Sequence, residues 1–319
     1  MIKFGVLLTA VSQDPAKGDY AIVRRVASEC ERFGFDSVWL NDHFFPFPSQ
    51  EEPWLECWTT LSALAIETKT LRLGPLVSCN SFRYPSVLAK MGAALDVISD
   101  GRLELGLGAG WYEAEYVAYG IPFPKSSIRI EQLKEGVQII KKMWTQERST
   151  YNGKYYSIKE AVCNPKPIQK PHPPIWIGGR SSHLIRVAAE FADGCNFYAC
   201  SPNECGEKVK TLNQHCLAIG RDPDEIQNSW LGTVLIGKNR LELAKKIKKF
   251  KLGHPRKEIR KMPLEEYKSR HILGTPEQCV ERIEEFTDFG ITYFMMVFPD
   301  MDDLRVLQLF NDHVVSCFR

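Results

Sequence analysis

Four short stretches of the sequence combine residue types that can do chemistry, and each follows an apolar run. The first is NDHFFPFP at 41–48, where Asp42 and His43 precede a series of aromatic residues. A histidine exchanges a proton near neutral pH, and a neighbouring carboxylate can fix which ring nitrogen carries it. The aromatic residues offer an apolar wall for a planar ligand. The same pair also suits a polar strand end that hydrogen-bonds to a neighbouring loop, so both roles stay open.

The second stretch, LVSCNSFRYP at 76–85, places small polar residues and one arginine after an apolar run. Small side chains let a ligand approach the backbone closely. Arg83 can pair either with an anionic ligand or with a carboxylate of a nearby loop, and the sequence favours neither.

The third stretch, LELGLGAGW at 103–111, has glycines at 106, 108 and 110. This spacing differs from the G-x-G-x-x-G of dinucleotide sites, which argues against such a site. The glycines serve either tight packing at a strand end or the space beneath a flat ring.

The fourth stretch is IWIGGRSSHLIRVAAEFADG at 175–194, in which Gly178 and Gly179 end an apolar run. A helix starting at Ser181 or Ser182 would present free backbone amides beside Arg180. Such amides and a cation form a phosphate site, and ordinary capping by a serine is the alternative.

The elements that must position these stretches alternate along the chain. Apolar runs predict eight strands, at 2–8, 36–42, 71–78, 101–108, 174–178, 193–198, 228–236 and 292–298. Amphipathic runs predict helices at 20–34, 58–70, 85–99, 128–144, 181–191, 203–219, 276–289 and 302–315. Strand–helix alternation indicates a parallel sheet, and eight units in 319 residues are typical of an α/β protein with a (β/α)8 TIM barrel.

A doubly wound open sheet is the alternative architecture. Two segments interrupt the alternation: a polar hairpin-like stretch at 150–158 and a charged, partly helical insertion at about 239–272. No composition break divides the chain, so we expect a single domain over 1–319. In a barrel, function lies at the carboxyl ends of the strands, where all four stretches fall.

Composition limits the class of function. The chain is 44% hydrophobic with a net charge of +2, which gives no case for binding nucleic acid or membrane. No apolar run approaches the roughly 18 residues of a membrane span, and the first strand is not followed by a signal-peptide cleavage site. Ten cysteines without a C-x-x-C indicate mostly buried free thiols and no metal site. We therefore expect a cytoplasmic protein whose partner is a small-molecule substrate.

The four stretches, in this order, resemble the luciferase-like monooxygenase family of flavin and deazaflavin proteins with barrel folds. Further matches are GWYEAEYVAYGIPFP at 110–124 and GTPEQCVERIEEFTDFGITYFMM at 274–296, and the similarity covers nearly the whole chain. The D-H-F sequence at the end of the second strand is similar to the branch that uses the deazaflavin coenzyme F420.

The resemblance implies an oxidoreductase that transfers a hydride between F420 and a small organic substrate, in a homodimer. Asp42 and His43 would lie beside the ring as catalytic residues, with His43 as proton donor or acceptor. Leu76–Val77 falls where the family often has a non-prolyl cis peptide. The residues implied in cofactor binding are Leu76, Val77, Ser78, Cys79, Asn80, Gly108, Gly110, Gly178, Gly179 and Arg180, with the last three at the phosphate.

Family members with sugar-phosphate substrates carry a glutamate where this chain has Trp111, so the resemblance does not extend to that reaction. The substrate pocket would form from the insertion and the loop 44–57. Three alternatives stay open: an FMN-dependent monooxygenase that uses oxygen, a non-catalytic flavin-binding protein, and a sugar-phosphate barrel enzyme without a redox cofactor.

Overall fold

The computed structural model of the chain describes residues 1–8, 20–48, 50–179 and 181–319. Two sequence predictions lie outside these residues. They are residues 9–11, which follow the first strand at the carboxyl end where function is expected, and Arg180, which the resemblance implies at the cofactor phosphate.

Parallel strands form a ring at the centre of the fold. In chain order, the strands of the fold are β1 Lys3–Leu8, β2 Ser37–Leu40, β3 Arg72–Pro75, β4 Ser78–Cys79, β5 Leu105–Gly108, β6 Ser149–Asn152, β7 Ser157–Ala161, β8 Ile175–Gly178, β9 Gly194–Tyr198, β10 Gln227–Ile236, β11 Ile272–Gly274 and β12 Tyr293–Val297. The order around the ring is β3-β2-β1-β12-β10-β9-β8-β5-β4, while β6 and β7 form a separate pair and β11 pairs with β10 outside this order. Because β3 and β4 are two halves of one barrel strand, their bonds to β2 and β5 complete the ring.

Helices surround this ring. They are α1 Tyr20–Phe33, α2 Cys57–Glu67, α3 Pro85–Ile98, α4 Glu113–Ala118, α5 Ser126–Thr145, α6 Ser182–Phe191, α7 Pro202–Ala218, α8 Arg240–Gly253, α9 Lys257–Lys261, α10 Leu264–Ser269, α11 Pro276–Thr287 and α12 Arg305–His313. Proline in the first turn begins α3, α7 and α11, where its missing amide costs no hydrogen bond. The predicted TIM barrel is confirmed, and the doubly wound alternative is wrong.

The structure differs from the predicted elements in three places. The strand predicted at 71–78 breaks at Leu76–Val77, which are joined by a cis peptide bond, as the resemblance implies. The insertion contains α8, α9 and α10 and also β11, which pairs with the last residues of β10. Helix α4 was not predicted, because six residues are too few for a clear helical period. The predicted hairpin is confirmed as the antiparallel pair β6 and β7.

The barrel interior is apolar and ends in partly exposed side chains. The interior cluster consists of Leu7, Trp39, Leu76, Trp176, Leu231, Tyr293 and Met295. Val77, Tyr198 and Val297 pack on it and are only partly buried, at the carboxyl ends of their strands. We call these three residues the mouth floor, because they separate the core from the open end of the barrel.

The cysteines agree with the expectation of buried thiols. All ten lie in the described residues as free thiols, and each is buried except Cys317. Within the described ranges, no group of three or more His, Cys, Asp or Glu side chains is arranged for a metal ion. Within the same ranges, no helix combines the length and apolar character needed to cross a membrane.

Candidate active site

His43 lies three residues beyond β2 and is held by a carboxylate from α4. Its Nδ1 is 2.7 Å from Oε2 of Glu115, while Oε1 of Glu115 accepts the Phe44 amide at 2.7 Å. The Glu115 side chain is 1% exposed and that of His43 is 24% exposed. Because a carboxylate only accepts, Nδ1 carries a proton and Nε2 is the nitrogen left for a ligand. Nε2 has no hydrogen bond to any described residue.

Asp42, which the sequence placed as the carboxylate beside His43, points elsewhere. Its Oδ2 accepts the Ser78 hydroxyl at 2.6 Å and the Cys79 amide at 3.2 Å. Arg83 donates to both carboxylate oxygens, at 2.7 and 3.0 Å. The Asp42 carboxylate thus faces β4 and Arg83, whereas the His43 imidazole faces α4. The expectation that Asp42 fixes the His43 tautomer is therefore wrong: Glu115 occupies that position.

Arg83 takes the second of its two possible roles. Its guanidinium bonds Asp42 and also Glu56 at 2.5 Å. Burial alone would lower the pKa of Arg83, but the charges of Asp42 and Glu56 outweigh it and raise the pKa. Glu56 also caps α2 by accepting the Thr59 amide at 2.6 Å. Arg83 thus ties the loop after β2 to the start of α2.

The side chains predicted to line a cofactor after the cis peptide are mostly buried in protein contacts. Ser78 accepts the Trp58 indole NH at 3.2 Å while it donates to Asp42. The Cys79 thiol lies 3.0 Å from the Tyr116 hydroxyl, and burial raises its pKa to about 11.

Asn80 turns outward, away from the mouth. Its amide donates to the Tyr156 hydroxyl at 3.1 Å, and its carbonyl lies against Gly136 of α5. Leu76 belongs to the interior cluster, so among the residues 76–80 only Val77 has a partly exposed side chain at the mouth. Contact of these residues with a cofactor stays a prediction.

The glycine-rich stretch makes room for Val77. A Cβ added to Gly108 or Gly178 would lie 2.6 or 2.8 Å from a Val77 methyl group, and one added to Gly106 would lie 2.2 Å from the Pro75 carbonyl oxygen. Ordinary side chains do not approach that closely, so glycine is required at these strand ends. The sequence left open whether these glycines serve tight packing or the space beneath a flat ring, and here they pack closely against protein. Val77 itself forms part of the mouth floor.

Two other predicted glycines have different neighbours. Gly110 has a φ of +77° and faces the Tyr116 hydroxyl, and Gly179 faces Leu184 of α6. Ser181 caps α6 by accepting the His183 amide at 3.2 Å, so helix capping is observed. A cofactor role for Gly108, Gly110, Gly178 and Gly179 stays a prediction.

Aromatic side chains form a wall beside His43. The Trp111 ring lies 5.9 Å from the imidazole and 5.2 Å from Phe47, and Tyr112 lies 4.9 Å from Phe47. Trp111 is 55% exposed. The wall predicted from the sequence 44–47 is thus completed by Trp111, which ends the third stretch, and by Tyr112, which follows it.

Sequence reasoning missed Glu115 as a site residue, although it lies in the stretch 110–124 that contributes to the family resemblance. Its signal is an acid with apolar neighbours in a short segment, beside the more exposed Glu113. An isolated acid in this context could equally face solvent, so only the fold reveals its partner.

Comparison of the sequence with known proteins identifies its family. Residues 2–293 match the family model described as luciferase-like monooxygenase. The chain belongs to that family. A relative from Microbacterium testaceum, named F420-dependent glucose-6-phosphate dehydrogenase, is 29% identical over 91% of this chain and 90% of its own. One of the same name from Segniliparus rotundus is 27% identical, over 88% of this chain and 89% of its own.

Solved structures support the luciferase-like barrel. An F420-dependent secondary alcohol dehydrogenase, in complex with an F420-acetone adduct, superposes with a TM-score of 0.84 at 20% identity. The two structures match over 99% of this chain and 98% of that chain. The coenzyme F420 dependent tetrahydromethanopterin reductase of Methanopyrus kandleri gives a TM-score of 0.84 at 22% identity, over 100% and 99%. These likenesses concern the fold.

Proposed function

We propose that this luciferase-like protein is an F420-dependent oxidoreductase that transfers a hydride to or from a small organic substrate at the barrel mouth. The observation that carries the proposal is the His43–Glu115 pair, which holds one imidazole nitrogen and leaves the other at the mouth. The names of the relatives from Microbacterium testaceum and Segniliparus rotundus support the cofactor.

The composition of the mouth supports binding of a flat heterocycle. Val77, Tyr198 and Val297 give a partly exposed apolar floor, and Trp111 and His43 rise at one side. An apolar surface with a few directed polar groups is the usual composition of a cofactor site. The backbone around Gly178 and Gly179, which precedes the α6 N-terminus, would receive the phosphate.

When bound, F420 supplies a carbon centre that accepts or donates a hydride. Nε2 of His43 would take a proton from the substrate oxygen or give one to it. That oxygen is bonded to the carbon that exchanges the hydride. Glu115 fixes the ring orientation through Nδ1. The aromatic wall of Phe47, Trp111 and Tyr112 would exclude water from that proton.

In this proposal Asp42 has a structural role and does not contact the substrate. It is bonded on both oxygens and buried, so it positions the residue that follows it rather than touching substrate. The proposal does not assign the relatives' glucose 6-phosphate as the substrate, because Trp111 stands where sugar-phosphate enzymes of the family carry a glutamate.

The test is an anaerobic assay of F420 absorbance. Oxidised F420 is mixed with the protein and a panel of alcohols, and reduced F420 with a panel of enones. The proposal predicts a substrate-dependent change in the F420 spectrum at a rate that oxygen does not alter. Oxygen-dependent turnover with reduced FMN and none with F420 would establish the monooxygenase alternative instead. F420 binding without turnover of any panel member would favour the non-catalytic alternative.

We also propose that residues 1–319 act as one domain in a cytoplasmic homodimer. Ile66, Val87 and Ile98 of α2 and α3 are 63%, 53% and 45% exposed, which supports contact through these early helices. The free thiols suit a reducing compartment. Sedimentation velocity with Val87→Glu tests the dimer: we expect the variant to be monomeric, and a monomeric native chain would refute the proposal.

A further inference from the structure

The insertion at 239–272 is the most basic part of the chain. It holds twelve Lys and Arg against four Asp and Glu, whereas the whole chain has a net charge of only +2. Most cations of a solvated helix face water, so the charge alone indicates no ligand. One of these cations has a different environment.

Arg256, between α8 and α9, lies against the aromatic wall of the mouth. Its guanidinium carbon is 4.5 Å from the centre of the Phe47 ring. Phe47 contacts Trp111, and Trp111 contacts His43, so an unbroken series of side chains joins the guanidinium to the imidazole. Arg256 is only partly exposed.

Arg256 also lies near the mouth floor. Burial raises the pKa of Tyr267, and the positive charge of Arg256 opposes that shift. Tyr267 donates to the Thr233 hydroxyl at 2.8 Å, and Thr233 of β10 is in register with Val297 of the mouth floor. These contacts place Arg256 on the side of the insertion that faces the barrel opening.

Other cations of the insertion already have acceptors. Lys246 pairs with Asp300 at 2.9 Å, Arg260 donates to the His254 carbonyl at 2.9 Å, and Arg270 pairs with Glu204 at 3.3 Å. The Arg256 guanidinium has neither a carboxylate nor a carbonyl partner in the described parts of the chain. Stacking on Phe47 uses its face and leaves the edge, with five N–H donors, for a ligand.

We infer that Arg256 binds an anionic group of the substrate, a carboxylate or a phosphate, while the reacting carbon lies at His43. The inference rests on the proposed function, because it assigns the substrate class of the same mouth. Arg256 is then a specificity-determining residue: it orients the substrate from the end opposite the reaction, and an uncharged analogue loses that contact.

The first experiment separates this inference from the proposed function. F420 binding is measured for the native chain, for Arg256→Met and for Lys257→Met, an exposed neighbour in the same insertion. We expect equal F420 affinity in all three. If the native chain does not bind F420, the proposed function fails, whatever the role of Arg256.

The second experiment measures anion binding to the F420-loaded chain. Inorganic phosphate and malonate are titrated at constant ionic strength, and tryptophan fluorescence reports the change near Trp111. We expect saturable binding that Arg256→Met weakens by about tenfold or more, which Arg256→Lys partly restores and which Lys257→Met does not alter. If Arg256→Met and Lys257→Met weaken anion binding equally, or if anion binding is not saturable, the inference is overturned.

The third experiment uses matched substrates. Glucose 6-phosphate is compared with glucose, and 3-hydroxybutanoate with its methyl ester, so that the pairs distinguish phosphate from carboxylate. Arg256→Met should raise KM for the charged member of the preferred pair by about tenfold and leave the neutral member unchanged. Turnover of neutral substrates alone, with no response to Arg256→Met, would overturn the inference while the proposed function stands.

Discussion

At the scale of single residues, the neighbouring side chains of Asp42 and His43 have different functions. His43 keeps one free nitrogen at the mouth, and Asp42 is enclosed by hydrogen bonds from Ser78, Cys79 and Arg83. The two side chains differ because Asp42 faces β4 and Arg83 while His43 faces α4. Activity should therefore depend on His43 through chemistry and on Asp42 through the position of the loop.

His43→Ala and Glu115→Gln should each lower kcat in the F420 assay by about a hundredfold, because general acid–base catalysis and its orientation contribute on that order. The F420 dissociation constant should change little. Because Glu115 acts through His43, the double variant should be no slower than His43→Ala alone.

Glu113→Gln is the matched control for this experiment, since Glu113 is an exposed acid on the same helix. It should keep the native kcat. An unchanged kcat in His43→Ala would remove the imidazole from the mechanism, and additive losses in the double variant would separate Glu115 from His43.

At the scale of elements, the site depends on contacts between strand ends. Asp42 and Arg83 connect the ends of β2 and β4 to the start of α2, and both side chains are largely buried. Asp42→Asn should lower the free energy of unfolding by about 3 kcal/mol, because it leaves a buried cation partly unpaired. Urea unfolding measures the loss.

The control is Glu67→Gln, which removes the exposed partner of Arg24 at 3.8 Å. An exposed pair of this kind contributes about 0.5 kcal/mol or less. Similar losses in the two variants would show that the Asp42–Arg83 pair does not support the loop.

The fit of Val77 between the glycines gives a second element-scale prediction. Gly108→Ala places a methyl group 2.6 Å from Val77 and should lower the free energy of unfolding by about 2 kcal/mol. Val77→Ala in the same chain should restore part of that loss. Gly253→Ala, with open space around it, should be neutral. If Val77→Ala does not reduce the loss of stability caused by Gly108→Ala, the steric clash is not with Val77.

The elements were largely predictable from sequence, and the contacts between them were not. Long amphipathic helices such as α5 and buried strands such as β1 show clear periods, and their alternation fixes the barrel. Segments as short as β11 and α4 lack a full period. The partners of Asp42, His43 and Arg83 lie tens of residues away in sequence, so residue types gave the chemistry available at each position but not the pairs.

At the scale of the whole molecule, buried thiols link stability to pH. Burial raises the pKa of Cys79 to about 11 and those of Cys195 and Cys279 to about 12, from an ordinary value of 9.0. Above pH 9 the unfolded chain loses these protons while the native chain keeps them. Their contribution to stability is therefore complete below pH 9 and is lost as the pH rises towards the folded values.

These three thiols should lower the free energy of unfolding by about 4 kcal/mol between pH 8 and pH 10, since each ionises in the unfolded chain within this interval and so contributes about 1.4 kcal/mol across it. Urea unfolding at both pH values measures the change. Cys279→Ala should make this fall smaller by about 1.4 kcal/mol, and Cys317→Ala, at an exposed thiol, should leave it unchanged. A stability that does not fall over this interval would contradict the assigned burial.

The mouth floor, the His43–Glu115 pair and the aromatic wall together make one prediction about the intact chain. Titration of the purified protein with F420, followed by the fluorescence of the deazaflavin, tests it most directly, with FMN titrated in parallel. We expect saturable binding of one F420 per chain in the micromolar range, and FMN binding that is weaker by about tenfold or more. Tighter binding of FMN than of F420, or saturation by neither, would contradict it.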